Sequence, residues 1–242
     1  SVFLVARVEL VATAFSAEEV SALVAGMRSQ RIFLIPRNHL LIIDRETVLR
    51  AIQDELPQVR TVMRFERTGR NRIRLGLEER KPSFVWQAAG GHFLLDQDGV
   101  VFQKVLNYDP AVFPEQLLVD RADAPVRVGQ NVNAGKILAF VQTLVSLWPE
   151  IVTQTGYQSF SFPGVSSLDI FVKTGIGFQV YFDVERPVET QLRNLILLLS
   201  REIKPETYSG LSYIDLRLHS VAYYCYLDAP CAPENVNQAT LE

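Results

Sequence analysis

At Glu79-Arg80-Lys81-Pro82-Ser83-Phe84-Val85-Trp86 the chain changes its hydrophobic rhythm. A proline removes an amide donor, fixes φ, and holds the residue before it in extended backbone. A single regular element is therefore not expected to run through Pro82. Before it lie roughly eighty residues of mixed helical and strand patterning, and after it short strands divided by turns run almost to the end. This predicts two domains, 1–80 and 81–227, followed by a flexible tail over 228–242.

The first domain opens with alternating apolar and polar residues from Val2 to Ala12, the period of a half-buried strand. Ser16 and Glu19 form a capping box for a helix over 17–27, whose Val20, Leu23, Val24 and Met27 share one face. Arg31–Pro36 is a short apolar segment stopped by proline. Asp44 then opens a second helix through Val48, Leu49, Ile52 and Leu56, closed by Pro57. Strands over 59–67 and 72–79, joined at Thr68-Gly69-Arg70-Asn71, complete a β-α-α-β-β order.

Beyond Pro82 the pattern predicts strands at 84–87, 92–95 and 100–103, with Gly90-Gly91 and Asp96-Gln97-Asp98-Gly99 as turns. A helix over 134–148, ended by Pro149, precedes strands at 157–162, 167–174 and 177–183. A second helix over 187–202 precedes strands at 208–218 and 220–227. The expected fold class is α+β: a β-α-α-β-β module, then a larger, mainly antiparallel β domain with two flanking helices.

Composition narrows the function. A formal net charge of -3 provides no field to hold a polyanion, so nucleic acid is not an expected partner. Cys225 and Cys231 are too few for a zinc site. They are either a bridge formed in an oxidising compartment or two unrelated thiols. Gly175-Ile176-Gly177 lacks the third glycine of a dinucleotide fingerprint, Asp96-to-Gly99 lacks the spacing of a calcium loop, and no Gly-x-Ser-x-Gly elbow occurs. His39, His92 and His219 stand apart from one another. No catalytic residue, cofactor or metal is expected, and function has to reside in surfaces and edges. The basic run Arg64, Arg67, Arg70, Arg72, Arg74, Arg80 and Lys81 is either a solvated strand face or a contact for anionic headgroups.

One family shares these features in this order. The β-α-α-β-β module, Glu79-Arg80-Lys81-Pro82 with Trp86, Asp96-x-x-Gly99-x-x-Phe102 and the late Tyr213-Ile214-Asp215-Leu216-Arg217 resemble the FtsQ/DivIB cell-division proteins. The resemblance covers nearly the whole chain. It implies a polypeptide-transport-associated (POTRA) module followed by a β domain, in a single-pass protein of the bacterial inner membrane whose anchor lies outside this sequence. This portion would lie in the periplasm, enriched at the division septum. It implies a scaffold and not an enzyme, one that holds FtsB-like and FtsL-like proteins at its last strands and meets other divisome proteins through its first module.

Carried onto this sequence, the partner-contacting positions are Arg217, Leu218 and Ser220, just after Asp-Leu-Arg. The neighbouring residues supply a physical reason for binding. A terminal strand with an unpaired edge, 220–226, is a template for β-augmentation. Ala222 lies in it, and Tyr223, Tyr224 and Tyr226 offer amphipathic surface of the kind enriched in hot spots, or else simply cover the sheet. Pro82 would fix the entry of the β domain and Trp86 its core. Asp215 and Arg217, two apart, would share a strand face as a mutual support. A rival function for such a module is a polypeptide chaperone in secretion or outer-membrane assembly, but the β-α-α-β-β pattern occurs only once.

Overall fold

A computed structural model describes residues 4–5, 7–11, 15–29, 31–32, 35–36, 38–39, 42–113, 116–151, 155–228, 231 and 236–240. The chain divides into two compact units. One is Ser1–Lys81 with Val101–Gln103 and Arg127–Gln130; the other is Pro82–Val100, Lys104–Val126 and Asn131–Glu242. The α+β architecture is the one the sequence predicts.

In the first unit, β1 (Arg7–Val11), α1 (Ala17–Gly26), a small hairpin of β2 (Arg31–Ile32) and β3 (Ile35–Pro36), α2 (Arg45–Glu55), β4 (Val59–Gly69) and β5 (Arg72–Glu79) follow in order. The main sheet has the order β1-β5-β4, with β1 parallel to β5 and β4 antiparallel to it. Each helix starts where a side chain can accept orphan amides. Ser16 Oγ accepts from the amides of Glu18 and Glu19, and the Asp44 carboxylate accepts from that of Thr47 at 2.7 Å. The bond from the Thr47 amide, first among its causes, holds the Asp44 carboxyl below its ordinary range. Val20, Val24, Ile43, Val48, Ile52, Val62, Ile73 and Leu75 form a core without solvent exposure.

The second unit begins with β6 (Phe84–Ala88), β7 (Gly91–Leu95), the last two residues of β8 (Val101–Val105) and β9 (Gln116–Asp120), then α3 (Gly135–Ile151). There follow β10 (Tyr157–Phe162), β11 (Asp169–Thr174), β12 (Gln179–Asp183), α4 (Val188–Arg201), β13 (Leu211–Asp215), β14 (Val221–Tyr226) and β15 (Asn237–Thr240). Its sheet has the order β15-β14-β13-β12-β11-β10-β9-β6-β7-β8. Most pairs are antiparallel. Three pairs are parallel: β6/β9, connected through β7 and β8, and β9/β10 and β12/β13, whose connections contain α3 and α4, each long enough for a parallel crossover.

Alternation along the strands sorts the two faces. Ile170, Val172, Val180, Phe182 and Ile214 are fully buried, and Phe140 and Trp148 of α3 pack on Phe182 at 6.1 and 6.3 Å between ring centroids. The opposite face carries Phe171, Tyr181 and Tyr213. Tyr181 stacks on Tyr213 at 5.1 Å, and Arg121 and Arg217 lie over the rings of Phe171 and Tyr181.

Three boundaries differ from the sequence expectation. Helix α3 continues to Ile151, two residues past the Pro149 expected to end it. Residues 208–210, expected to begin a strand over 208–218, instead end a 3-10 helix, Pro205–Gly210, with proline in its first turn, and the strand itself is Leu211–Asp215. The tail expected to be loose contains β15, antiparallel to β14. Polar residues hid this strand, since Asn237, Gln238 and Thr240 carry no apolar alternation.

Candidate partner-binding edge

The residues singled out near the C-terminus converge on β13, β14 and the connection between them. In β13, Tyr213 faces Cys225 and Asp215 faces Tyr223 across the ladder. Asp215 then organises the start of the connection. Its carboxylate accepts from the Arg217 amide at 3.1 Å and from the guanidinium at 2.9 and 2.6 Å, while Asp169 holds the same guanidinium at 3.1 Å. The bond to Asp215, ahead of the other causes, pushes the Arg217 pKa further above its ordinary value, so the group stays cationic. Arg217 is thus a structural cation shared by two carboxylates, as the two-residue spacing anticipated for Asp215.

A second arginine supports the connection from beneath. Arg186, 8% exposed, donates Nη1 to the carbonyls of Leu216 and Leu218. Gln191 of α4, fully buried, donates to the Arg186 carbonyl at 3.1 Å and exchanges two 2.9 Å bonds with the backbone of Asp183. A continuous polar chain therefore runs from α4 through Arg186 to the backbone of the 216–218 bend. Neither Arg186 nor Gln191 stood out in the sequence, where an Arg-Pro before a helix reads as ordinary surface. Above this support Leu218 is 50% exposed, and His219 and Ser220 are exposed.

Strand β14 does not present its tyrosines as one surface. Period two puts Ala222, Tyr224 and Tyr226 on the face of Ile214, and Tyr223 and Cys225 on the other. Ala222 is fully buried. Tyr224 and Tyr226 meet edge to face at 6.0 Å, and Tyr226 Oη lies 3.4 Å from Thr207 Oγ1. Burial, then the neighbouring Tyr226 and Glu202, raises the Tyr224 hydroxyl pKa. Tyr226 also borders a groove of about 610 Å³ with Gly210, Leu227 and Asp228. Cys225 is bridged to Cys231, with 5.8 Å between Cα atoms, which resolves the two readings of the cysteine pair. The edge of β14 is not open: β15 lies along it with Val221 opposite Thr240, Ala222 opposite Ala239, Tyr223 opposite Gln238 and Tyr224 opposite Asn237.

The remaining motif residues lie outside this edge. Glu79 ends β5 opposite Val59. Arg80 donates its amide to Gln58 and Nε to the Pro57 carbonyl, anchoring the end of the first sheet. Pro82 occupies the irregular stretch before β6. Trp86 is buried against Phe162 at 5.1 Å, and Phe102 is buried. Asp96 accepts from the amides of Asp98 and Val100, closing the β7–β8 turn in which Gly99 has φ +79°. In the basic run, Arg64 pairs with Glu66 and Arg74 with Glu9, while Arg67 donates to the Ile43 carbonyl. Among the described residues, no group of three or more His, Cys, Asp or Glu could hold a metal, and no helix is long and apolar enough to cross a membrane.

The chain thus joins a small mixed α/β module to a long, mainly antiparallel sheet in which the Tyr-Ile-Asp-Leu-Arg run spans the end of β13 and the start of the bend after it. Residues 84–217, over half of the chain, match the family model described as "Cell division protein FtsQ/DivIB, C-terminal". The chain belongs to the FtsQ/DivIB family. It is 25% identical over 147 residues to a "Cell division protein FtsQ" of Chloroflexus aurantiacus, covering 61% of this chain and 50% of the relative. The chain thus spans about half the length of that relative.

Proposed function

We propose that this chain is a non-enzymatic scaffold of the bacterial divisome, which holds an FtsB-like and FtsL-like pair by β-augmentation at the end of its long sheet. The observation that carries the reading is the 216–220 bend. It is rigidly supported from below by Arg186 and Asp215, it exposes Leu218 and Ser220 above, and it leads directly into the outer strands of the sheet. Rigid backbone carrying exposed side chains next to a sheet edge supplies both main-chain affinity and side-chain specificity.

On this reading Arg217, Leu218, Ser220, Ala222, Tyr223, Tyr224 and Tyr226 form or support the partner site. The first unit acts as a POTRA domain that meets other divisome proteins, and residues 81–227 act as the β domain. Membership of the family supports a place at the septum, in the periplasm, on an inner-membrane anchor.

The test is a titration of isotope-labelled protein with the extracytoplasmic segment of the FtsB–FtsL pair from the same source, following backbone amides. Shifts concentrated between Arg217 and Tyr226 are expected. Saturating partner with no shift in that stretch would overturn the proposal.

A further inference from the structure

An incoming strand that pairs with β14 meets an obstacle, because that side of β14 is already hydrogen-bonded to β15 from Val221 to Tyr224. Two strands cannot use the same row of amides and carbonyls. We infer that β15 is the chain's own placeholder on the partner edge, paired with β14 when the chain is alone and displaced when a partner strand arrives. This inference rests on the edge-strand reading proposed above.

The composition of β15 suits a removable strand. Of Asn237, Gln238, Ala239 and Thr240 only Ala239 is buried, and the others are exposed. On the other side of β14 the ladder is anchored by Leu211 and Ile214, both buried. Apolar burial is what holds a strand in place and fixes its register, while a strand polar on both faces is weakly specified. The outermost strand therefore comes away before β14 leaves β13.

What keeps so weak a strand in place is its tether. Ten residues separate Tyr226 from Asn237, but the Cys225–Cys231 bridge leaves only five between the last fixed point and β15. A shorter loop raises the local concentration of the strand at its edge, and doubling the loop lowers it about threefold. The bridge thus sets how firmly the placeholder sits, and so how tight a partner must be to replace it.

Ala239→Asp puts a charge at the one buried position of β15, and a chain ending at Val236 lacks the strand altogether. Both are titrated, beside the unaltered chain and Cys231→Ser, with the extracytoplasmic FtsB–FtsL segment from the same source. Freed of the competing strand, the first two variants bind at least about tenfold more tightly, as expected when a small competent fraction becomes the whole population. Cys231→Ser binds about two- to threefold more tightly.

Hydrogen exchange supplies a second readout. In the unaltered chain alone, β14 amides facing β15 exchange faster than those facing β13. At saturation with partner, residues 237–240 lose their protection. Equal affinity of all four chains, with 237–240 still protected, would overturn displacement and place the partner elsewhere, outside β15 for example, while leaving the scaffold reading intact. Failure of every chain to bind would remove the scaffold reading and this inference together.

Discussion

Arg186 spends its charge on two backbone carbonyls. Its removal would strand the buried carbonyl of Leu216, and an unpaired buried acceptor is costly. Arg186→Met is expected to lower stability by about 2 kcal/mol, read as an earlier urea midpoint, and to broaden the amide signals of 216–220. His92 supplies a pH dependence. It stacks on Tyr108 at 4.5 Å, and burial lowers its pKa below the ordinary value. The folded chain then prefers the neutral ring, so the unfolded chain binds the proton more readily. The stability this residue contributes is present above about pH 6.5 and falls as the pH drops through that region. An NMR titration checks the ring directly: a midpoint at or above the ordinary histidine value would contradict the prediction. At this scale the sequence was partly legible. Asp215 and Arg217 share a face because they are two apart, whereas Arg186 finds its acceptors about thirty residues on, a pairing that no local spacing encodes.

Among the elements, the β7–β8 turn is the most sharply determined. Gly99 adopts φ +79°, and an added Cβ would lie 3.0 Å from Leu138 Cδ1, so backbone and packing both oppose a side chain. Gly99→Ala is expected to cost about 2 kcal/mol, seen as a lowered urea midpoint with an unchanged slope. The Asp-x-x-Gly spacing made this turn legible, since the chemistry of a turn is local. Helices α1 and α2 were legible for the same reason, through Ser16 and Asp44. Strand β15 was not. Its place depends on main-chain bonds to a neighbour and on a bridge six residues from its start, and neither leaves a trace in hydropathy.

On the scale of the whole molecule, one break between the two compact units falls between Lys81 and Pro82, while Val101–Gln103 and Arg127–Gln130 also group with the first unit, a long-range association that no local rhythm encodes. Both tryptophans, Trp86 and Trp148, belong to the second unit. Tryptophan emission therefore reports on that unit alone, while far-ultraviolet dichroism reports on both. Ile52→Ala, which hollows the first core, is expected to cost about 3 kcal/mol there. The dichroism transition should move to lower denaturant while the tryptophan transition stays in place; a common shift of both signals would show that the units unfold as one. The pairing of Ala222 with Ala239 reaches further still. Both methyl groups are buried, facing each other across the last ladder. On the placeholder proposal, an incoming strand would set one residue against buried Ala222 while its outward side chains met solvent, so a charge at that one position would weaken its docking.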